Sequence, residues 1–403
     1  MRILVQKFGG TSVADIDRLK MVRGKVKAAL DQGYKVVVVL SAKSGKTNKL
    51  LDLSTRWAAE PDLAEVDSLL STGEQASIAL FSMLLKDSGI KARSMLGWQI
   101  PIITNDEFGR ARILSIDASR IHKELEAHDV LVVAGFQGST EDGRITTLGR
   151  GGSDTSAVAL AAALDSCECE IYTDVDGVYT ADPRLVKDAR KLDEVTYSEM
   201  LELASLGAQV LHNRSVEMAR KYNVNLEVLS SFTGHPGTKV KGVVKRVEKT
   251  YISSVAKDKN IARIALLGVP DETGTSFKVF SLLAANNINV DIILQGIGQA
   301  ERKDICFTVA EGDLEKASGL LREHQESIGF RSMETNADVA KVSVVGAGMI
   351  GSPGVAAKLF EALYDAGINI NMISTSEIKI SVLVDRKDAA KAVQVIHDKF
   401  FAM

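Results

Sequence analysis

Runs of apolar residues, each six to eight positions long, recur through the first 230 residues of the chain: ILVQKF (3–8), KVVVVLS (35–41), DVLVVAGF (129–136), CEIYTDV (169–175) and NLEVLSS (225–231). They are too short and too rich in β-branched residues for helices, and they predict buried strands. Between them, 15–32, 73–89 and 153–165 repeat their apolar positions at helical spacing. This alternation predicts an α/β fold, a mostly parallel sheet sandwiched by helices. The rhythm breaks at SFTGHPGTKVKGVVKRVEKT (231–250), where Gly, Pro and five Lys or Arg residues collect. Such a composition predicts a boundary, with a first domain at 1–233 and a linker at 234–250.

Beyond the linker the pattern repeats itself. ARIALLGVPDETGTSFKVFSLLAANNINVDII (262–293) aligns without gaps, at a shift of 80, to the stretch that begins VSVVGAGMIGSPG at Val342. Gly268 meets Gly348, Gly274 meets Gly354, and Ile288-Asn289 meets Ile368-Asn369. Each copy continues into a strand, ICFTV (305–309) or ISVLV (380–384), and then a helix carrying Asp-x-x-Lys-Ala. Two small βαββαβ-like modules are expected, at 251–335 and 336–403.

The repeat also disposes of a decoy. Gly346-x-Gly348-x-x-Gly351 has the spacing of a dinucleotide-binding turn, yet Asn369, Ile370 and Asn371 stand where a ribose-binding acid is needed. The first copy has no such motif in the same loop, so the glycines serve a turn common to both modules. Ser44-Gly45-Lys46-Thr47 imitates the end of a P-loop, but Leu40 stands where the loop's first glycine is required.

Composition narrows the function classes. The 403 residues are 45% hydrophobic and 25% charged with a net charge of −3, so no nucleic-acid partner and no membrane surface are expected. The opening MRILVQKFGG has too short an apolar run for a signal peptide, which makes the cytoplasm the expected location. Cys167, Cys169 and Cys306 show neither metal-ligand spacing nor the even count of a disulfide framework.

Three glycine-rich or acidic turns carry the candidate chemistry. Lys7-Phe8-Gly9-Gly10-Thr11-Ser12 ends the first strand before a helix. Its glycines permit close backbone approach to a phosphate, and Lys7 adds a point charge. Arg150-Gly151-Gly152-Ser153-Asp154-Thr155-Ser156 opens another helix. Ser153 or Asp154 could be a plain cap, but Arg with two glycines points to a bound carboxylate or phosphate. Thr173-Asp174-Val175-Asp176-Gly177-Val178-Tyr179-Thr180-Ala181-Asp182-Pro183-Arg184 leaves a strand with an acid density suited to a nucleotide rim.

Together with Ser41-Ala42, Ser71-Thr72-Gly73-Glu74 and VLH-x-RSVE at 210–217, these motifs resemble the aspartate kinase family over nearly the whole chain. The resemblance implies an amino-acid-kinase fold followed by two ferredoxin-like ACT modules. It implies transfer of the ATP γ-phosphoryl group to the β-carboxylate of L-aspartate, the first step toward lysine, threonine and methionine, with feedback by an end-product amino acid. Lys7 and Asp154 would be catalytic. Lys7, Phe8, Gly9, Gly10, Ser41, Thr173, Asp174, Tyr179, Thr180, Asp182, Arg184 and Gln209 would face the nucleotide. Thr47, Glu74, Arg150, Gly151, Gly152, Ser153 and Asp154 would hold aspartate. Many relatives carry Lys where this chain has Gln209, so a charged phosphate contact is missing there.

For the effector, the first module offers Asp271, Thr273, Gly274, Ser276, Asn289, Val290, Asp291 and Gln295. In this reading the Gly274 helix start receives the carboxylate and Asp291 the ammonium. The second module, with Gly354, Val355, Asn371, Met372, Glu377 and Ile378, has lost both acids and is better suited to subunit contacts in a homo-oligomer. A carboxylate acceptor with a pKa near ~4 is already ionised at neutral pH, so no general base is needed. Mg²⁺ is expected on the ATP phosphates rather than in a protein metal site. The competing readings are a kinase of this fold acting on acetylglutamate, glutamate or UMP, and a non-catalytic amino-acid sensor.

Overall fold

The five apolar runs become neighbours in one eight-stranded sheet. A computed structural model describes all residues except 166–167, 207–209, 245–251, 299–300, 350–351 and 402–403. The strand order is Glu194–Thr196, Thr238–Lys241, Asn225–Ser230, Glu168–Thr173, Ile3–Phe8, Lys35–Leu40, Val130–Ala134, Ala92–Met95. All adjacent pairs are parallel except the one joining Asn225–Ser230 to Thr238–Lys241. Val36 through Leu40 and Val130 through Ala134 are fully buried, as strands covered on both faces require. One face packs Leu4, Phe8, Val36, Val38 and Leu40 against the helices Ile16–Asp31 and Leu63–Asp87. The alternate residues face the helix Gly152–Ala163, which lies against the Ile3–Phe8, Lys35–Leu40 and Glu168–Thr173 strands. Chain order reverses at Ile3–Phe8, which has Lys35–Leu40 on one side and Glu168–Thr173 on the other. The carboxyl ends of strands at such a reversal are where ligands bind in open α/β sheets.

The helix expected at 73–89 starts ten residues earlier, because Asp62 caps it by accepting from the N–H groups of Ala64 and Glu65. A small sheet of short strands, Ile113–Ile116, Ile102–Thr104, Gln137–Ser139 and Ile145–Thr147, was not readable from apolar runs because each strand has only three or four residues.

The chain divides into two compact units. One is built from Met1–Val178, Lys191–Ser205 and the elements from Asn213 to Lys241. The other is built from Tyr179–Arg190 and the chain from Ile252 onward. This second unit holds two antiparallel four-stranded sheets. The first is ordered Val290–Gln295, Arg302–Val309, Ala262–Pro270, Ser332–Asn336, and the helices Thr275–Ala285 and Leu314–Glu323 fill its core with Val279, Leu283, Ala317 and Leu321. The second is ordered Ser254–Asp258, Val339–Val345, Lys379–Asp385, Met372–Thr375, with Val355–Asp365 and Ala389–Phe401 as its helices. The Ser254–Asp258 strand lies within the stretch read above as the first module, yet it pairs with Val339–Val345 in the second sheet. The first sheet is thus inserted in sequence between the first two strands of the second. Both modules start their first helix from a glycine in the left-handed region, Gly274 at φ 94° and Gly354 at φ 97°. The alignment of Gly274 with Gly354 in the repeat is thus a shared helix start.

Candidate active site

Alternation along the first strand decides where Lys7 goes. Phe8 joins the core and stacks on Tyr172 at 4.6 Å, while Lys7 projects to the opposite face. There its ammonium lies 2.6 Å from Asp154 Oδ1, with only 11% and 13% of the two side chains exposed. Asp154 stands in the first turn of the Gly152–Ala163 helix, where an acid is favoured by the helix dipole.

The glycines around this pair differ in what they do. A side chain on Gly10 would drive its Cβ to 2.7 Å from the Ala42 carbonyl, so Gly10 lets the loops after two strands touch. Gly151 has φ +69°, and a Cβ there would strike the His212 ring at 2.3 Å. On Gly152 a Cβ would press Phe136 at 2.8 Å. Packing by itself requires glycine at these three positions. Gly9 is different: the nearest atom to its Cβ would be Lys7 Nζ at 3.6 Å. A Cβ at Gly9 would therefore make only ordinary contacts, with the ammonium and with the Tyr172 carbonyl at 3.8 Å.

Glu74 closes the other side. The N–H of Ala42 donates to Glu74 Oε1 at 2.9 Å, and Ser44 N–H donates to the Gly10 carbonyl at 3.1 Å, so Glu74 is tied to the glycine loop through residues 42–44. Oε2 of Glu74 is buried and meets no hydrogen-bonding partner among the described residues. Burial pushes the carboxyl up to about 7, against the opposing pull of the Ala42 N–H. A buried, half-satisfied carboxylate is costly unless a cationic ligand completes it. Thr47 is half-buried in the first turn of Lys46–Trp57, a helix that starts from left-handed Gly45 at φ 75°. Arg150 is exposed, one residue before the glycine that caps the Gly152–Ala163 helix. Ser153 is buried, its Cβ and Oγ each 2.9 Å from where a Cβ on Gly135 would stand.

Two supports were missed in the sequence. Asp67, fully buried, accepts from Gly109 N–H at 2.9 Å, Thr147 N–H at 2.7 Å and Thr147 Oγ1 at 2.6 Å. Arg214 donates to the carbonyls of Leu148 and Ala111 at 2.9 and 2.7 Å. Between them they hold the chain that leads into Arg150. Asp67 could have been found as a charge on the buried face of a helix, two turns before Glu74. Arg214 lies inside the VLH-x-RSVE motif, but its role needs the fold.

The nucleotide-rim residues divide between the two units. Thr173 Oγ1 donates to Asp174 Oδ1 at 3.0 Å at the end of a catalytic-sheet strand. Tyr179, Thr180, Asp182 and Arg184 belong instead to the second unit. There Asp182 and Arg184 pair through Nε and Nη2 at 3.0 and 2.9 Å, and Thr180 is buried. Phe8 can offer a ligand only its backbone, and Gln209 lies outside the described residues. Among the described residues no cluster of three His, Cys, Asp or Glu could hold a metal ion, and no helix is long and apolar enough to cross a membrane.

Known proteins fit this geometry. Residues 2–230 match the model of the amino acid kinase family, and 264–325 with 342–400 match an ACT domain model. An aspartate kinase of Pseudomonas putida is 49% identical over 401 residues, covering 99% of this chain and 98% of its own. The chain belongs to the aspartate kinase family. The crystal structure of E. coli aspartokinase III with aspartate and ADP, described as the R-state, superposes with a TM-score of 0.83 at 29% identity, covering 99% of this chain and 100% of the other. The same enzyme with lysine and aspartate, described as the T-state, gives 0.79 at 29% identity, with 99% of each chain covered. A member of this family phosphorylates aspartate under regulation through its ACT modules.

The effector residues of the sequence reading fare unevenly. Gly274 starts its helix as expected, and Ser276 Oγ donates to Gln295 Oε1 at 3.0 Å. Thr273, Asn289 and Glu377 are exposed, Val290 is half-buried, and the Ile378 carbonyl accepts from Gly346 N–H. Val355 and Met372 are core residues, and Asn371 donates to Asp385 Oδ1 at 3.0 Å. Asp271 pairs with Lys303 at 2.8 Å. Asp291, read above as a partner for an effector's ammonium, is already paired with Lys341 on the facing sheet. Lys341 is only 5% exposed, and its next acid, Asp258, is 3.9 Å away. Asp291→Ala is therefore expected to destabilise the second unit by on the order of 2 kcal/mol by stranding a buried cation. A melting curve with an unchanged midpoint would show that the pair carries no stability.

Proposed function

We propose that this aspartate kinase moves the ATP γ-phosphoryl group to the β-carboxylate of L-aspartate at the Lys7–Asp154 centre. The observation that carries the assignment is the buried Lys7 ammonium paired with Asp154 beside Gly9, where an added Cβ would meet no protein atom closer than 3.6 Å. Lys7 neutralises charge on the moving phosphoryl group, and Asp154 fixes the ammonium's position. Gly9 and Gly10 let the phosphates approach the backbone beside the ammonium closely. Ser41, Thr173, Asp174, Tyr179, Asp182 and Arg184 line the nucleotide. Arg150 grips the α-carboxylate of aspartate, Glu74 Oε2 accepts from its ammonium, and Thr47 and Ser153 complete the pocket. The acceptor carboxylate needs no deprotonation, so the protein's task is alignment and charge. Mg²⁺ enters with ATP as part of the substrate.

An effector amino acid such as lysine or threonine sets its carboxylate at the Thr275–Ala285 helix start, and the protein works as a cytoplasmic homo-oligomer joined through the ACT modules. ADP release measured with aspartate, acetylglutamate, glutamate and UMP as acceptors tests the assignment. Aspartate alone should support turnover. Turnover with another acceptor and none with aspartate would replace the reading.

Glu74 gives the reading a pH signature. Aspartate's ammonium favours the ionised carboxylate, so binding must pull a proton from a group that titrates at about 7 in the free enzyme. kcat/KM for aspartate should rise with pH up to about 7 and then level. Glu74→Gln should lower kcat/KM and flatten that limb. An unchanged limb in Glu74→Gln would assign the titration to another group. The same shift makes the ligand-free fold lose stability as pH rises from the unfolded value through about 7, because the folded state holds the proton more tightly.

A further inference from the structure

The segment Tyr179–Arg190 is built into the core of the second unit, although it leaves a strand of the catalytic sheet. Ala181 and Val186 are buried in one cluster with Val393 and Ile396 of the C-terminal helix. Val255 N–H donates to the Thr180 carbonyl and Ser254 Oγ to the Tyr179 carbonyl, each at 2.8 Å. The segment closes on itself where Thr180 N–H donates to the Arg190 carbonyl at 2.8 Å and Arg190 N–H donates to Thr180 Oγ1 at 2.9 Å. His397 reads that closure. Its Nε2 lies 2.9 Å from the same Thr180 Oγ1, and its ring, 2% exposed, stacks on Phe401 at 4.7 Å. Arg190 Nη2 donates to the Phe401 carbonyl at 3.3 Å, so both ends of the segment are tied to one turn of the C-terminal helix. Asp182 and Arg184 stand in the loop between those ends.

We propose that His397, through Thr180 Oγ1, is a positioning residue that holds the Asp182–Arg184 turn in the conformation that receives the nucleotide, so the last helix of the regulatory unit sets the affinity for ATP. The inference rests on the reading of that turn as part of the nucleotide rim. A hydroxyl has one proton and two lone pairs, and here it already accepts from Arg190 N–H. The imidazole therefore completes a two-sided clamp, and without it the closure keeps only its backbone half.

His397→Leu fills the apolar site without the nitrogen, and His397→Gln restores a nitrogen near the position of Nε2. His397→Leu is expected to raise the KM for ATP about fivefold or more, the loss of one buried hydrogen bond. The KM for aspartate and kcat should stay within about twofold, and His397→Gln should recover most of the ATP affinity. A role in stability alone would lower the melting temperature of His397→Leu and leave both KM values in place, which overturns the proposal. Arg184→Ala is the control for the underlying reading. If it raises the KM for ATP while His397→Leu does not, the rim stands and the positioning role fails. If neither variant changes it, both fail. Should His397→Leu not fold, His397→Met removes the same ring nitrogen while keeping the volume and is read by the same criteria.

Discussion

Lys7→Ala is expected to cut turnover by about 10²-fold or more, the scale at which a preorganised charge aimed at the transition state acts. The ammonium is nine-tenths buried and fixed at 2.6 Å from Asp154, so no solvent rearrangement is needed to bring it to bear. The KM for aspartate should change far less, because Lys7 faces the phosphoryl group and not the amino acid. Removing the lysine also leaves Asp154 beside a vacated charge, so the melting temperature of the variant must be measured alongside its kinetics. Steady-state rates at saturating ATP and aspartate decide the matter. Turnover within a few-fold of the parent in a folded Lys7→Ala protein would take Lys7 out of the mechanism.

The second large effect is expected at Arg150. Arg150→Lys should raise the KM for aspartate roughly tenfold or more, since an ammonium cannot reproduce two parallel N–H bonds to one carboxylate. The surrounding chain is rigid for reasons that do not involve the substrate. Arg214 holds the Leu148 carbonyl, Asp67 holds Thr147, and Gly149 and Gly151 adopt φ +75° and +69°. Lysine at 150 is exposed and breaks none of these contacts, so a change in KM reports ligand binding. The KM for ATP is the internal control. A shift in the ATP value alone would move Arg150 to the nucleotide side.

Which parts of this were legible in the sequence follows from how local each signal is. The central strands were readable because four or five consecutive β-branched or aliphatic residues buried on both faces leave no other interpretation. Lys7 and Asp154 could be named from their glycine turns, but not their 2.6 Å contact, which depends on strand alternation meeting a helix start 147 residues later. Packing also requires glycine at 10, 151 and 152, a constraint that only neighbours from distant segments reveal. The repeat identified two modules, yet their interleaving was hidden. Strand 254–258 is adjacent in sequence to one sheet and hydrogen-bonded to the other. The Asp291–Lys341 pair was hidden for the same reason: the acid and the buried lysine it meets on another sheet are 50 residues apart in the chain.

The most direct test of the central claim is to trap the product. The protein is incubated with ATP, Mg²⁺, L-aspartate and hydroxylamine, and aspartyl hydroxamate is measured against parallel ADP release. The account predicts hydroxamate in step with ADP, both dependent on aspartate and both depressed in Lys7→Ala. ADP release from the parent enzyme without hydroxamate, or no response to aspartate, would contradict it.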